Sequence, residues 1–129
     1  MARTKETHRS EGVEEEDMVT REWLQATRVV DKYGLTKLRK AIECADGFSM
    51  SVQASAEYRC TPRDDVGPYS AVEIGFPSER VEALMKWAED PNYPTGTLYG
   101  WVPVEVVDAV IAAHGGMKDA ALAKARGEA

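Results

Sequence analysis

The chain reads as an α+β domain: an N-terminal helix pair, then a small, mainly antiparallel sheet in the order ββαβα, with helices covering one face of the sheet. Three observations predict this. The stretch FSMSVQASAEYRC, residues 48–60, sets Phe48, Met50, Val52, Ala54, Ala56, Tyr58 and Cys60 on one parity and Ser49, Ser51, Gln53, Ser55, Glu57 and Arg59 on the other. That is the period-two pattern of a half-buried strand, though far longer than the usual five or six residues. Turn formers in TPRDDVGP then separate it from a second alternating run, YSAVEIGFP, which predicts a hairpin with a wide loop. Residues 20–46, by contrast, carry apolar residues at three- and four-residue spacing, the helical period.

Taken in order, residues 1–17 hold one aliphatic residue and a block of acids, so they are expected to stay a disordered acidic tail. The tail opens on ARTK after its methionine, as histone H3 does, and nothing beyond those residues resembles a histone. The helix pair is expected over 18–47. Thr20 caps a first helix with Trp23, Ala26, Val30 and Tyr33 on one face and Gly34 as its stop. Thr36 caps a second, carrying Leu38, Ala41, Ile42 and Ala45 and ended by Gly47. The α+β core is expected over 48–116. After the hairpin, Ser78 caps a helix whose buried stripe is Val81, Leu84, Met85 and Ala88, stopped by Asp90 and Pro91. TLYGWV is a third strand, Pro103 opens a helix with Val104, Val107, Val110 and Ile111 inward, and Gly115 ends it. Residues 117–129 are Ala-rich and are expected to form a weakly held helical tail.

Composition narrows the function classes. At 129 residues the chain holds one domain of ordinary size plus tails, with a core that needs no metal or disulfide staple. Net charge is −6, with the cations concentrated in residues 20–46. Nucleic acid is therefore not the expected partner. The one place to look for it is the second helix, where Lys37, Arg39 and Lys40 would meet phosphate in a helix-turn-helix. No apolar run approaches the roughly 18 residues that span a bilayer, and no hydrophobic signal core opens the chain, so a cytoplasmic protein without membrane contact is expected. Cys44 and Cys60 have neither a C-x-x-C spacing nor a second pair, and they read as reduced, buried thiols.

Catalysis finds little support in the residues. His8 falls in the tail, His114 in the last turn of a helix where a cation complements the carbonyl ends, and no nucleophile elbow, zinc-protease, phosphate-loop or EF-hand pattern occurs. Asp64 and Asp65 lack the further oxygen ligands a hard cation needs. No enzyme, cofactor or metal is expected. Anion binding has more to draw on: Arg59 ends the polar parity of the long strand, Arg63 opens the loop beyond it, and Tyr58, Tyr69, Tyr99 and Trp101 lie on or beside strands. Guanidinium groups fork onto phosphate oxygens and aromatic faces stack on bases. Equally, Arg59 can pair with Glu57 or Glu73 across the sheet, and Trp101 can simply fill the core.

The series CTPRDDVGPY, VEIGFPSE, DPNYPTGTLYGWVPVEVV and HGG, over roughly residues 48–116, resembles small early proteins of tailed phages. Within that group it is similar to the Thoeris anti-defence proteins, sponges for cyclic ADP-ribose signals. That resemblance implies sequestration of a signalling nucleotide, without cleavage, between subunits of a homo-oligomer in the host cytoplasm. It implies Arg59 and Arg63 at phosphate and Phe76, Tyr99 and Asn92 at base and ribose. The alternatives from the same sequence are an anti-CRISPR-like inhibitor that binds a host defence protein, and the helix-turn-helix regulator.

Overall fold

A computed structural model describes residues 19–118. The expected tails at 1–17 and beyond residue 118 lie outside the described residues. Helix α1 (Val19–Ala26) is followed by strands β1 (Ile42–Glu43), β2 (Ser49–Gln53) and β3 (Ala71–Gly75), a 3-10 helix (Glu82–Trp87), strand β4 (Leu98–Pro103) and helix α2 (Val104–Ala113). The strands form one antiparallel sheet in the order β1-β2-β3-β4. The α+β class and the antiparallel sheet are as the alternation predicts, with four strands where three are expected.

The core lies between one face of the sheet and the helices. Met50 and Val52 of β2, Val72 and Ile74 of β3, and Tyr99 and Val102 of β4 meet Trp23 and Leu24 of α1, Leu84 of the 3-10 helix, and Val104, Val107, Val110 and Ile111 of α2. Each fully buried aliphatic side chain of this set contributes about 2 kcal/mol. The two α-helices are tied end to side. The Thr20 amide, in the first turn of α1, donates to Asp108 Oδ1 of α2 at 2.8 Å, so a carboxylate borrowed from elsewhere in the chain satisfies a donor that the helix itself cannot.

The second helix expected over Thr36–Gly47 is not formed. The first helix ends at Ala26, and the chain beyond it builds a narrow finger: Val30 bridges Thr36, the Lys37 amide donates to Val29 O, and Asp31 Oδ1 accepts the amides of Tyr33 and Leu35. Asp31 thus offers the backbone a turn in place of a helix, as short carboxylates do. The tip closes at Gly34, whose φ of +82° suits a residue without Cβ. Residues 39–44 then run extended, with Arg39, Ile42 and Cys44 buried while Lys40, Ala41 and Glu43 face water. Ala41, Ile42 and Ala45 also fit helical spacing, which is how a strand with two periodicities passes for a helix.

The long strand is shorter than its alternation. Parity holds from Phe48 to Ala54, then Ser55 Oγ accepts the Glu57 amide, the Ala56 amide donates to Asp65, and the chain turns away. Thr61 returns to bridge Ala71. The helix expected after Ser78 is a 3-10 segment in which Leu84 is buried and Val81, Met85 and Ala88 pack on the core, so the apolar stripe is as expected and the helix type is not. It stops early because β4 claims the next residues: Ala88 bridges Tyr99 and the Glu89 amide donates to Leu98 O. Pro103 ends β4 rather than opening the helix, and α2 starts at Val104.

Both outer edges of the sheet are partly covered within the chain. Along β1, Met117 bridges Cys44 and the Lys118 amide donates to Glu43 O; along β4, Ala88 and Glu89 pair as described. Backbone groups along both edges are thus partly satisfied within the chain itself. Cys44 and Cys60 are both buried free thiols, on a bridge beside β1 and in the returning loop rather than on a helix and a strand.

Candidate binding surfaces

The polar parity of residues 48–60 faces away from the core, and much of it is covered by the chain itself. Gln53 is buried beneath the segment that carries Arg39: its Oε1 accepts the Arg39 amide at 3.0 Å and its Nε2 donates to Arg39 O at 2.8 Å. The Arg39 guanidinium is buried too. It donates to Ala54 O, Leu24 O and Thr27 Oγ1, at 2.9–3.0 Å, and burial lowers its pKa. A cation expected to meet DNA phosphate is instead a strut that joins the end of α1 to the end of β2. Ser55 is buried, and Ser49 and Ser51 are half-buried.

The residues named for a nucleotide do not converge. Arg59 is half-buried and ion-paired with Glu73, 3.4 Å from Nε, and with Glu89. Its amide also donates to Glu73 Oε1 at 3.0 Å, and its side chain lies directly over Gly100, where a Cβ would sit 3.3 Å from Arg59 Cδ. Arg63 is exposed in the 54–70 loop. Asn92 is exposed in a turn, its amide donating to Asp90 Oδ1. Phe76 stands just past β3, 57% exposed. Tyr99 is fully buried, with its hydroxyl donating to Pro94 O at 2.6 Å. Its ring belongs to the core and has no face left for a base.

Trp101, which the sequence admits as core, is 49% exposed, and the Arg59 guanidinium lies 5.9 Å from its ring centre. Its φ of 54° accompanies a register irregularity in β4 opposite Val72–Ile74; there its amide leaves the ladder for Arg59 O. Phe76 has a φ of 50°. Two bulky aromatic residues held in the left-handed region, both exposed, are conformationally costly positions.

A different surface goes unmarked by the sequence motifs. On the finger, Val29, Val30, Tyr33, Leu35 and Leu38 are all exposed, Tyr33 and Leu38 by 75% and 73%. Arg28, Lys32, Lys37 and Lys40 are exposed around them. Between the finger and α1 lies an open groove of about 440 Å³ with Trp23, Ala26, Val29 and Leu38 among its apolar lining and Lys37 and Lys40 among its polar lining. The signal that could have found it is the position of Val29 and Val30. Two adjacent β-branched residues ahead of an Asp-led turn disfavour helix and favour extended chain.

His114 sits at the C-terminal end of α2 as expected, stacked on Phe48 with ring centres 4.1 Å apart. Its Nδ1 lies 2.7 Å from Asp46 Oδ2, and the Phe48 amide and His114 together hold the Asp46 carboxyl below its ordinary pKa. This is a structural clasp between α2 and the β1–β2 turn. Among the described residues no cluster of His, Cys, Asp and Glu could hold a metal ion, and no helix is long and apolar enough to cross a membrane. No family model, curated protein or solved structure matches the chain.

Proposed function

We propose that this chain is a non-enzymatic binding protein that docks on a partner protein through the finger at residues 28–40, as an inhibitor of a host complex would. The observation that carries this reading is the finger itself: its turn is pinned by Asp31, and its five large apolar side chains support no core. Large apolar side chains exposed together on one short segment, where the fold does not need them, are the mark of an interaction site, and an aromatic among aliphatic groups is the composition of a binding hot spot. The test is affinity capture from bacterial lysate, followed by purification of the captured protein and a direct binding measurement. Tyr33→Ser and Leu38→Ser are each expected to weaken binding about tenfold or more while the fold is unchanged. A captured protein that binds both variants as tightly as the parent chain would count against the finger.

A second reading, sequestration of a cyclic ADP-ribose type nucleotide, is favoured by Arg59 stacked near the half-exposed ring of Trp101. A cation beside an exposed aromatic face suits a phosphate next to a base. Its cost is that Glu73 and Glu89 already engage the guanidinium. Mass spectrometry of small molecules released by heat, after exposure to the product of a TIR-domain enzyme, separates the two: an intact nucleotide that is lost in Trp101→Ala supports sequestration, and an empty fraction leaves the finger.

A further inference from the structure

We infer that the partner docked on the finger presents an acidic, extended peptide segment: a large apolar side chain enters the groove between α1 and the finger, and neighbouring carboxylates run along Lys37, Lys40 and Lys118. The inference rests on the finger being a docking surface, and it adds the chemistry of what docks. Charge is the first argument. Residues 28–40 hold five cations, Arg28, Lys32, Lys37, Arg39 and Lys40, against the single acid Asp31. Residues 41–118 hold twelve acids against five lysines and arginines. A basic finger on an acidic body draws an acidic partner to the finger and repels it from the rest of the surface.

Ion pairing points the same way. Elsewhere on the molecule, Arg21 is matched by Glu105, Arg59 by Glu73 and Glu89, and Arg80 by Glu82. Among the described residues no carboxylate pairs with Lys37, Lys40 or Lys118, and Asp31 Oδ1 is taken by the Tyr33 and Leu35 amides. A neutral occupant would strip water from those ammonium groups and return nothing, which is costly. An occupant with carboxylates replaces the water by charge-assisted hydrogen bonds.

Shape is the third argument. Lys40 lines two open grooves, the one that holds Val29, Lys37 and Leu38 and a second of about 430 Å³ that holds Ser49 and Lys118, with Glu43 as the only acid of its described lining. Between them the chain runs extended, and the Lys118 amide donates to Glu43 O at 2.8 Å, so Lys118 stands beside a residue about 10 Å along from Lys40. A few residues of extended partner chain cover that distance. Val29 and Leu38, both exposed, give the first groove an apolar floor. A nucleic-acid strand brings the charge without a side chain for that floor, and a flat anionic membrane meets the acidic body as well as the finger.

The test uses the full chain, immobilised, with random peptides displayed on phage as the probe. Enriched peptides are expected to join a large apolar residue to a cluster of acids. A synthetic peptide of the enriched sequence should bind the variant carrying Lys37→Glu and Lys40→Glu about tenfold more weakly than the parent chain, and Lys118→Glu a few-fold more weakly, with affinity falling as salt rises. Both finger lysines are exposed, and Lys37→Gln with Lys40→Gln should act in the same direction with smaller size. No enrichment, peptides without acids, or binding that the lysine variants leave unchanged would each overturn the inference. So would tighter, lysine-dependent binding of a single-stranded DNA oligonucleotide or of phosphatidylserine vesicles, or self-association in sedimentation that the lysine variants abolish, which would make the occupant a second copy. Acid-free peptides that still lose binding with Tyr33→Ser and Leu38→Ser overturn the acidic partner and leave the docking reading intact; peptides indifferent to the lysine variants and to both serine variants overturn the two together.

Discussion

Two segments without regular secondary structure, the finger at 28–40 and the connection at 54–70, flank the same helix and have opposite fates. The 54–70 connection is bound to α1 and to the base of the finger: Arg21 Nε donates to Tyr69 O and Gln25 Nε2 to Val66 O from the helix, and Arg28 Nε donates to Asp65 O from just beyond it. Arg21 and Gln25 stand four residues apart on one side of α1, and Arg28 lies just beyond its end. The connection also holds itself. Asp64 Oδ1 accepts the amides of Val66 and Gly67, which holds the Asp64 carboxyl below its ordinary pKa, and the Tyr69 hydroxyl donates to Asp64 O at 2.7 Å. Tyr69 and Cys60 are buried. The finger has hydrogen bonds of its own but sends its apolar side chains outward. Irregular chain can therefore be part of the folded core or be displayed by it, and what separates the two is where the large side chains go.

The largest expected effect tests that contrast with one residue type. Tyr69→Ala removes a buried ring and a hydroxyl that satisfies a backbone carbonyl, and should cost about 4 kcal/mol of stability in urea denaturation. Tyr33→Ala removes a ring that is 75% exposed and should stay within about 0.5 kcal/mol of the parent. If the two substitutions cost the same, the finger carries the fold and is not a displayed surface.

Arg39 stands where the two segments meet, and it sharpens the comparison. Arg39→Met keeps the aliphatic stem but leaves Ala54 O and Leu24 O without their donors, for an expected loss of about 2–3 kcal/mol by the same measurement. Nothing about Arg39 in the sequence announces this. It follows Lys37 and precedes Lys40, so it reads as one of three surface cations, and only the position of Gln53 beneath it shows which one turns inward. The legible parts of the fold are those where a single periodicity operates: Phe48 to Ala54, Val72 and Ile74, and the inward face of α2 from Val104 to Ile111. What is illegible comes from competition. Asp31 diverts the chain from helix to turn, Ser55 and Asp65 end a strand whose alternation runs on, and β4 draws Ala88 out of a helix. The nucleotide residues fail to gather for a related reason. Sequence chemistry identifies a tyrosine and an arginine near a sheet, but not that Tyr99 lies on the core face while Arg59 is held by two carboxylates on the other.

The last expected effect concerns pH and falls on Cys44, beside the clasp of His114 and Asp46, rather than on the finger. Cys44 is buried beside β1, and burial, with the Asp46 carboxylate nearby, pushes its thiol from 9.0 up to about 11. An acid whose folded pKa is raised is kept neutral by the fold, so its contribution is complete below the unfolded value. It is lost as the solution becomes alkaline, because the unfolded chain ionises first. Stability should therefore hold steady through neutral pH, fall as pH rises from about 9 towards about 11, and then level, and Cys44→Ala should flatten that slope. The Asp46 carboxyl acts in the opposite direction, its lowered pKa giving stability that is present above the ordinary carboxylate range and lost only as pH falls below it. Between those limits the sheet edge at Glu43 and Cys44 keeps its cover of residues 116–118. Denaturant midpoints measured from pH 7 to pH 11 check the alkaline limb, and a flat profile in the parent chain would show that Cys44 is open to water. Tyr33→Ser leaves Cys44 and its surroundings untouched and should show the same alkaline slope as the parent, which separates the displayed surface from the clasp on a second axis.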